Sequence, residues 1–158
     1  MPDARPAHQS RAETAEMILP SDTNVHGTAF GGRVVQWMDL CCSIAAGRHC
    51  RQPVVTVSID DLHFHAPIRI GDYALLTAQV TATFRSSMEV ECVVLAENPS
   101  TGERTLCTSA FLTFVALDAR NRPLEVPPLL LETAAEKQAF EDAKERRSAR
   151  LARAKRKA

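Results

Sequence analysis

No apolar run in this chain approaches the roughly 18 residues needed to cross a bilayer. Its first eleven residues are polar and Pro/Ala-rich and lack the apolar stretch of a secretion signal. Neither charge sign is in excess: 19 Lys and Arg balance 19 Asp and Glu, a formal net charge of +0, so nothing pulls the whole molecule toward nucleic acid or a membrane surface. The five cysteines, Cys41, Cys42, Cys50, Cys92 and Cys107, are odd in number and form no C-x-x-C or Cys/His ligand spacing. That pattern supports neither a zinc site nor a disulfide framework. Four of the five stand among apolar neighbours, where a free thiol packs as a small hydrophobe, and a reducing, cytoplasmic compartment is expected. Also missing are G-x-S-x-G, G-x-x-x-x-G-K and H-E-x-x-H, which sets aside a serine-nucleophile elbow, a phosphate-cradling loop and a zinc hydrolase. Any hydrolytic chemistry here would have to activate water with a carboxylate.

What is present is one domain's worth of core: 158 residues, 45% hydrophobic and 24% charged. No internal repeat is visible. Residues 1–12 read as a disordered tail, 13–128 as the folded domain, and 129–158 as a charged C-terminal helix and tail. A short strand is expected over Ala15–Leu19, then a turn-rich loop over Ser21–Ala29. From Phe30 to His49, Val34, Val35, Met38, Cys41, Cys42 and Ala45 mark one stripe of a helix. Period-2 runs follow at Pro53–Phe64, Asp72–Phe84, a segment around Met88–Val94, and Arg104–Leu117, with a hairpin loop at Asn98–Gly102. The expected inward faces are Ala74, Leu76, Ala78, Val80, Ala82 and Phe84; Met88, Val90, Cys92 and Val94; and Leu106, Ala110, Leu112 and Phe114. Consecutive alternating strands with short turns make an antiparallel sheet. One long helix on one face of a curved sheet is an α+β architecture. Glu132–Lys157 is acidic at its start and basic at its end, as a helix dipole favours. It reads as a solvated helix fraying into a basic tail, with a membrane or nucleic-acid contact at 150–157 as the alternative.

The densest segment is Asp22–Asp39, D-T-N-V-H-G-T-A-F-G-G-R-V-V-Q-W-M-D: a polar turn, a glycine pair, then helix. Asp39 falls on the helix face of Val35 and Cys42, four before and three after it. A carboxylate there costs several kcal/mol unless it has partners or a task; a hydrogen-bonding role across an interface is the plain alternative to catalysis. Gly31 and Gly32 are poor helix formers, but they let a ligand approach the free N–H groups of the first turn, which would stabilise an oxyanion. A tight packed turn would also explain them. Asn24 reads first as a turn residue. His26, His63 and His65 have no partner in sequence that would make them bases.

Pro20–Asp39, with G-R-H-C at Gly47–Cys50, V-T-V-S-I-D at Val55–Asp60, F-R-S-S-M-E-V at Phe84–Val90 and A-F-L-T-F-V-A-L-D at Ala110–Asp118, resembles the hotdog-fold acyl-CoA thioesterases, in particular the cytosolic (brain-type) acyl-CoA hydrolase group. The likeness runs over about Ala15–Ala143. It implies a five- or six-stranded antiparallel sheet wrapped around one long helix. It also implies a homodimer whose sheets join edge to edge, commonly built into a hexamer as a trimer of dimers. Each site would take the asparagine loop from one subunit and the helix acid from the other, positions held here by Asn24 and Asp39. The substrate would be an acyl-CoA, with CoA part of substrate and product, no separate cofactor and no metal. The thioester oxygen would point at the N–H groups near Gly32, and Asp39 would activate water or attack directly. Thr56 and Val57 would line the pantetheine path beside Gly31, and Arg85, Ser86 and Ser87 would meet CoA phosphates or pantetheine. Trp37 and Met38 would help to wall an acyl tunnel. Two rival readings are a hydratase acting on acyl thioesters, which would want a His–acid pair on this helix, and a non-catalytic acyl-CoA-binding sensor. From the balanced charge and the lack of a spanning run, no nucleic-acid or membrane partner is expected.

Overall fold

The computed structural model describes residues 3–158. Its elements are β1 (Arg5–Pro6), β2 (Ala12–Met17), α1 (Gly31–Cys50), β3 (Val54–Phe64), β4 (Tyr73–Thr83), β5 (Ser87–Glu97), β6 (Arg104–Ala116), β7 (Leu129–Leu130) and α2 (Ala134–Lys157), with short 3-10 turns at Ala7–Gln9 and Pro20–Asp22. Strands β2-β4-β5-β6-β3 form one antiparallel sheet, and β1 pairs with β7 in parallel.

The helical stripe becomes the core. Val34, Trp37, Met38, Cys41, Cys42, Ala45 and Ala46 are all buried against Leu76, Val80, Val90, Val94 and Leu112 of the sheet. Each large apolar side chain removed from water there contributes about 1.5–3 kcal/mol. The helix stops where Arg51 takes a left-handed conformation (φ 58°) and its N–H bonds Gly47 O at 2.7 Å, the usual way of satisfying a terminal carbonyl.

Two faces differ from the simple alternation. β4 carries an extra residue, Thr81, so Val80 opposes Val90 but Ala82 opposes Glu89. Ala82 and Phe84 therefore turn away from α1, and Phe84 stacks on Phe140 of α2 at 6.3 Å. In β6 the extra residue is Cys107: Thr108 opposes Val94 but Leu106 opposes Leu95, which puts Leu106, 44% exposed, outside the core. One added residue reverses every later side chain because the strand period is two.

Both ends are better tied than their composition suggests. Of the expected tail, residues 1 and 2 lie outside the described residues. Residues 3–12 are held in place: Arg5 N–H bonds Pro128 O at 2.9 Å, and Ala7 and Ala12 are buried. α2 opens with a capping box, Glu136 N to Thr133 Oγ1 at 3.1 Å and Thr133 N to Glu136 Oε2 at 3.0 Å. It then lies across the sheet face opposite α1. Arg146 forks onto the fully buried Glu89 (2.8 and 3.0 Å), and Arg150 bonds Asp60 at 2.6 Å. The expectation of a solvated helix thus fails until about residue 151, because its arginines have carboxylate partners on the sheet. After that point every side chain is exposed.

Candidate active site

Asp39 stands mid-helix, half-buried, with its side chain toward edge strand β3. Thr56 of that strand donates its hydroxyl to Asp39 Oδ1 at 2.5 Å. Asp39 has no cationic partner among the described residues, so one oxygen is anchored while the other is unengaged. Thr56 is aimed at the helix because it opposes Phe114, a core residue; Val57 then bulges, and Ser58 faces the other side of the sheet opposite Thr113.

About 12 Å further back along the helix, at 1.5 Å per residue, lies its start. Arg33 and Val34 donate to Phe30 O, whereas the N–H groups of Gly31 and Gly32 find no acceptor among the described residues. A Cβ on Gly32 would stand 3.0 Å from the Phe30 ring, and one on Gly31 3.5 Å from the Phe64 ring. The glycines keep this surface open. The preceding loop is rigid: Asp22 is buried, accepts Leu19 N–H at 3.0 Å and Arg33 Nε at 2.9 Å, and its carbonyl takes Phe30 N–H at 2.8 Å. Asn24 Oδ1 accepts His26 N–H at 2.9 Å, and its Nδ2 donates to Thr28 Oγ1 at 3.1 Å. That fixes the amide's orientation and leaves one amide hydrogen unused. No hydrogen bond joins Asn24 to Asp39 within the described residues.

A cavity of about 340 Å³ opens beside Gly31, walled by Val34, Phe64, His65, Pro67, Ile68 and Cys107. Phe64 and Pro67 were invisible as site residues in the sequence, where H-A-P read only as a strand stop. Trp37 and Met38 pack into the core and do not line this cavity. Among the catalytic alternatives, cysteine is disfavoured on chemistry. All five thiols are buried, and burial pushes Cys107 up to about 11, leaving it protonated and inert at neutral pH. His49, the helix histidine, bonds Pro127 O at 2.9 Å in the core, far from Asp39. Arg85 is exposed at the β4–β5 turn, 3.8 Å from Glu125. Ser86 O accepts the Ala116 N–H at 3.1 Å, and Ser87 lines a second cleft together with Val57. One chain therefore gathers Asp39 with Thr56, Gly31 and Gly32 with the Asn24 loop, and Val57 with Ser87 as three separate groups.

Residues 26–103 match the thioesterase superfamily. An uncharacterized acyl-CoA thioester hydrolase of Bacillus subtilis is 42% identical over 132 residues, covering 84% of this chain and 77% of its own length. The apo-hexameric structure of an acyl-CoA thioesterase is 41% identical with a TM-score of 0.92, covering 96% of this chain and 97% of that one. The acyl-CoA hydrolase of Staphylococcus aureus, solved with butyryl coenzyme A, coenzyme A and coenzyme A disulfide, is 33% identical with a TM-score of 0.88 over 98% of this chain and 96% of that one. It has also been solved with an asparagine, an aspartate or a threonine replaced by alanine; those three lie 15 and 17 residues apart, the intervals separating Asn24, Asp39 and Thr56. This chain spans 39% of the length of the rat cytosolic acyl coenzyme A thioester hydrolase, to which it is 36% identical over 147 residues. The chain belongs to the hotdog-fold acyl-CoA thioester hydrolases of the thioesterase superfamily.

Proposed function

We propose that this chain hydrolyses acyl-CoA thioesters at sites shared between two copies of itself, with Asp39 of one copy facing Asn24 and Gly32 of the other. The observation that carries this reading is the state of Asp39: half-buried, unpaired with any cation among the described residues, and held through a single oxygen by Thr56. A carboxylate so placed costs energy that structure alone does not recover. The edge of β3 supports the shared site. It is unpaired among the described residues and exposes Val55, Val57 and Ile59, so a second β3 could extend the sheet there. That pairing would set Asp39 against the partner's helix start.

In the reaction, the thioester carbonyl oxygen meets the free N–H groups at Gly31 and Gly32, which favour the developing oxyanion. Asp39 takes a proton from water or attacks the carbonyl carbon itself. The spare amide hydrogen of Asn24 holds the water or the carbonyl. CoA leaves as a thiolate that needs little acid assistance. The acyl chain enters the cavity beside Gly31, and Thr56 and Val57 flank the pantetheine. A trimer of such dimers is the assembly the hexameric relative suggests, and five buried free thiols suit a reducing cytoplasm.

Subunit mixing tests the shared site. Asn24→Asp and Asp39→Asn proteins should each release almost no CoA from acyl-CoA in a thiol-reagent assay. Mixed and allowed to exchange subunits, half of the dimers are heterodimers, each with one site holding both native residues, so activity should recover to roughly a quarter of wild type. No recovery despite demonstrated exchange would place the two residues in different reactions or in one chain. Full activity in Asp39→Asn would remove the carboxylate from the mechanism.

A further inference from the structure

One wall of the cavity beside Gly31 is an aromatic ring that the fold leaves uncovered. Phe64 is 49% exposed, yet it stands on the inner face of β3, where a Cβ on Gly31 would lie 3.5 Å from its ring. An aromatic ring left half in water forgoes much of the stabilisation its burial would bring.

Phe64 reaches this place through an irregularity. Asp60, four residues earlier, faces outward to Arg150, and in a regular strand residues four apart share a face. Between the two, β3 carries one extra residue: Asp60 opposes Phe111, but His63 opposes Ser109. Asp61 takes up the excess in a left-handed conformation, φ 51°, which Asp tolerates better than most residues. The backbone is then pinned on both sides of Phe64. Thr108 Oγ1 donates to His63 O at 2.6 Å, and His65 N–H donates to Cys107 O at 2.7 Å. The ring is thus carried by a sheet strand at a fixed position.

Its surroundings are apolar. Val34, Pro67 and Ile68 share the cavity of about 340 Å³ with it, and among the described residues no Asp, Glu, Lys or Arg lines that space. Phe30, whose ring stands beside Gly32, is not one of its walls.

We propose that Phe64 is a specificity-determining residue, its ring forming the wall that selects an unsubstituted hydrocarbon chain on the acyl group. This rests on the thioesterase reading above, which sets the carbonyl oxygen at Gly31 and Gly32 and so starts the acyl carbons beside the ring. Each methylene taken out of water there should raise kcat/KM about fourfold until the cavity is filled. An acetyl group is too short to gain from it.

The test is kcat/KM for acetyl-, octanoyl- and octanedioyl-CoA with the full chain, in wild type, Phe64→Ala, Phe64→Leu and Phe30→Ala. CoA release is followed with a thiol reagent and oligomer mass by light scattering. Wild type should prefer octanoyl-CoA to acetyl-CoA, and also to octanedioyl-CoA, whose far carboxylate would leave water without a partner. In Phe64→Ala the octanoyl-to-acetyl ratio should fall at least about tenfold, since roughly half of a ring that can bury ~150–250 Å² no longer covers the chain. Phe64→Leu should recover most of the ratio, and Phe30→Ala should keep it. A ratio within twofold of wild type in Phe64→Ala would overturn the proposal, as would an equal fall in Phe30→Ala. Equal turnover of octanoyl- and octanedioyl-CoA by wild type would overturn it too. So would loss of the wild-type oligomer in Phe64→Ala with every substrate slowed alike, which would make Phe64 a subunit contact. Wild-type turnover that Asp39→Asn abolishes would show that the thioesterase reading survives any of these failures.

Discussion

Replacing Thr56 with valine keeps the shape and strand preference of the side chain and deletes only the hydroxyl that holds Asp39 Oδ1 at 2.5 Å. A hydrogen bond to a charged group is worth about 1.5–3 kcal/mol, and about 1.4 kcal/mol is tenfold in rate. If the contact aligns the carboxylate for attack on the thioester, Thr56→Val should lose between about tenfold and a hundredfold in kcat. Thr56→Ser keeps a hydroxyl and should recover most of that loss. The assay is CoA release from a short and a long acyl-CoA, followed with a thiol reagent over a range of substrate concentrations. Both variants should melt near wild type, because Thr56 is exposed within the chain. A KM rise at constant kcat would mean that Thr56 binds substrate uniformly and does not align the acid. A valine variant within twofold of wild type in both constants would refute the reasoning outright, and the anchored carboxylate with it.

Three further outcomes are expected. Asn24→Asp retains the acceptor that His26 N–H uses but loses the amide donor, so the loop should stay folded while kcat falls about a hundredfold, as for other lost oxyanion donors; unchanged kcat would make Asn24 a turn residue only. Arg146→Leu strands Glu89, which has no exposed surface and keeps only the Thr81 hydroxyl at 2.7 Å; because Arg146 is itself partly exposed, the loss should be near the lower end for a broken buried pair, about 3 kcal/mol. Glu89→Leu in that background should restore much of the melting temperature. Burial holds the His49 imidazole below its ordinary value, against the opposing pull of the Pro127 carbonyl. The unfolded chain therefore takes up a proton near pH 6.5 that the folded chain refuses: stability should fall as pH drops below about 6.5 and level off once the lowered folded value is passed. His49→Gln should flatten that fall in melting curves taken between pH 8 and 5.

Elements whose evidence is local were legible in the sequence. The α1 stripe and the four long strands follow from periods of 3.6 and 2, which need no knowledge of neighbours. The Thr81 and Cys107 bulges were not legible, because a bulge is defined by the partner strand's count; Phe84 and Leu106 then appear on faces that alternation alone assigns wrongly. The docking of α2 was hidden for a similar reason: Arg146 and Arg150 find acids 57 and 90 residues away, and a run of arginines on one helix looks the same whether solvated or paired. Asp39 was conspicuous as a charge on an apolar face. Asn24 was ambiguous from its residue type, and within one chain its amide is largely occupied by its own loop. Its proposed catalytic use depends on a second copy, which one chain's sequence does not display.

Strand β3 is where these demands meet. Its inner face presents Thr56 to the helix acid, its outer face presents Ser58 and Asp60 to α2, and its free edge exposes Val55, Val57 and Ile59. A regular strand would turn Thr56 and Ser58 to the same side, because alternate residues share a face. The Val57 bulge sends them to opposite sides, so the hydroxyl that anchors Asp39 and the cleft hydroxyl can be two residues apart in sequence and still serve separate faces. Deleting Val57 would make Thr56 and Ser58 direct neighbours that still oppose Phe114 and Thr113, so both faces would keep their side chains without the bulge. The faces are thus set by the consecutive partners Phe114 and Thr113 on β6, so shortening the strand by Val57 should leave acid alignment and helix docking in place, whereas changes at Thr56 or Thr113 perturb one face each.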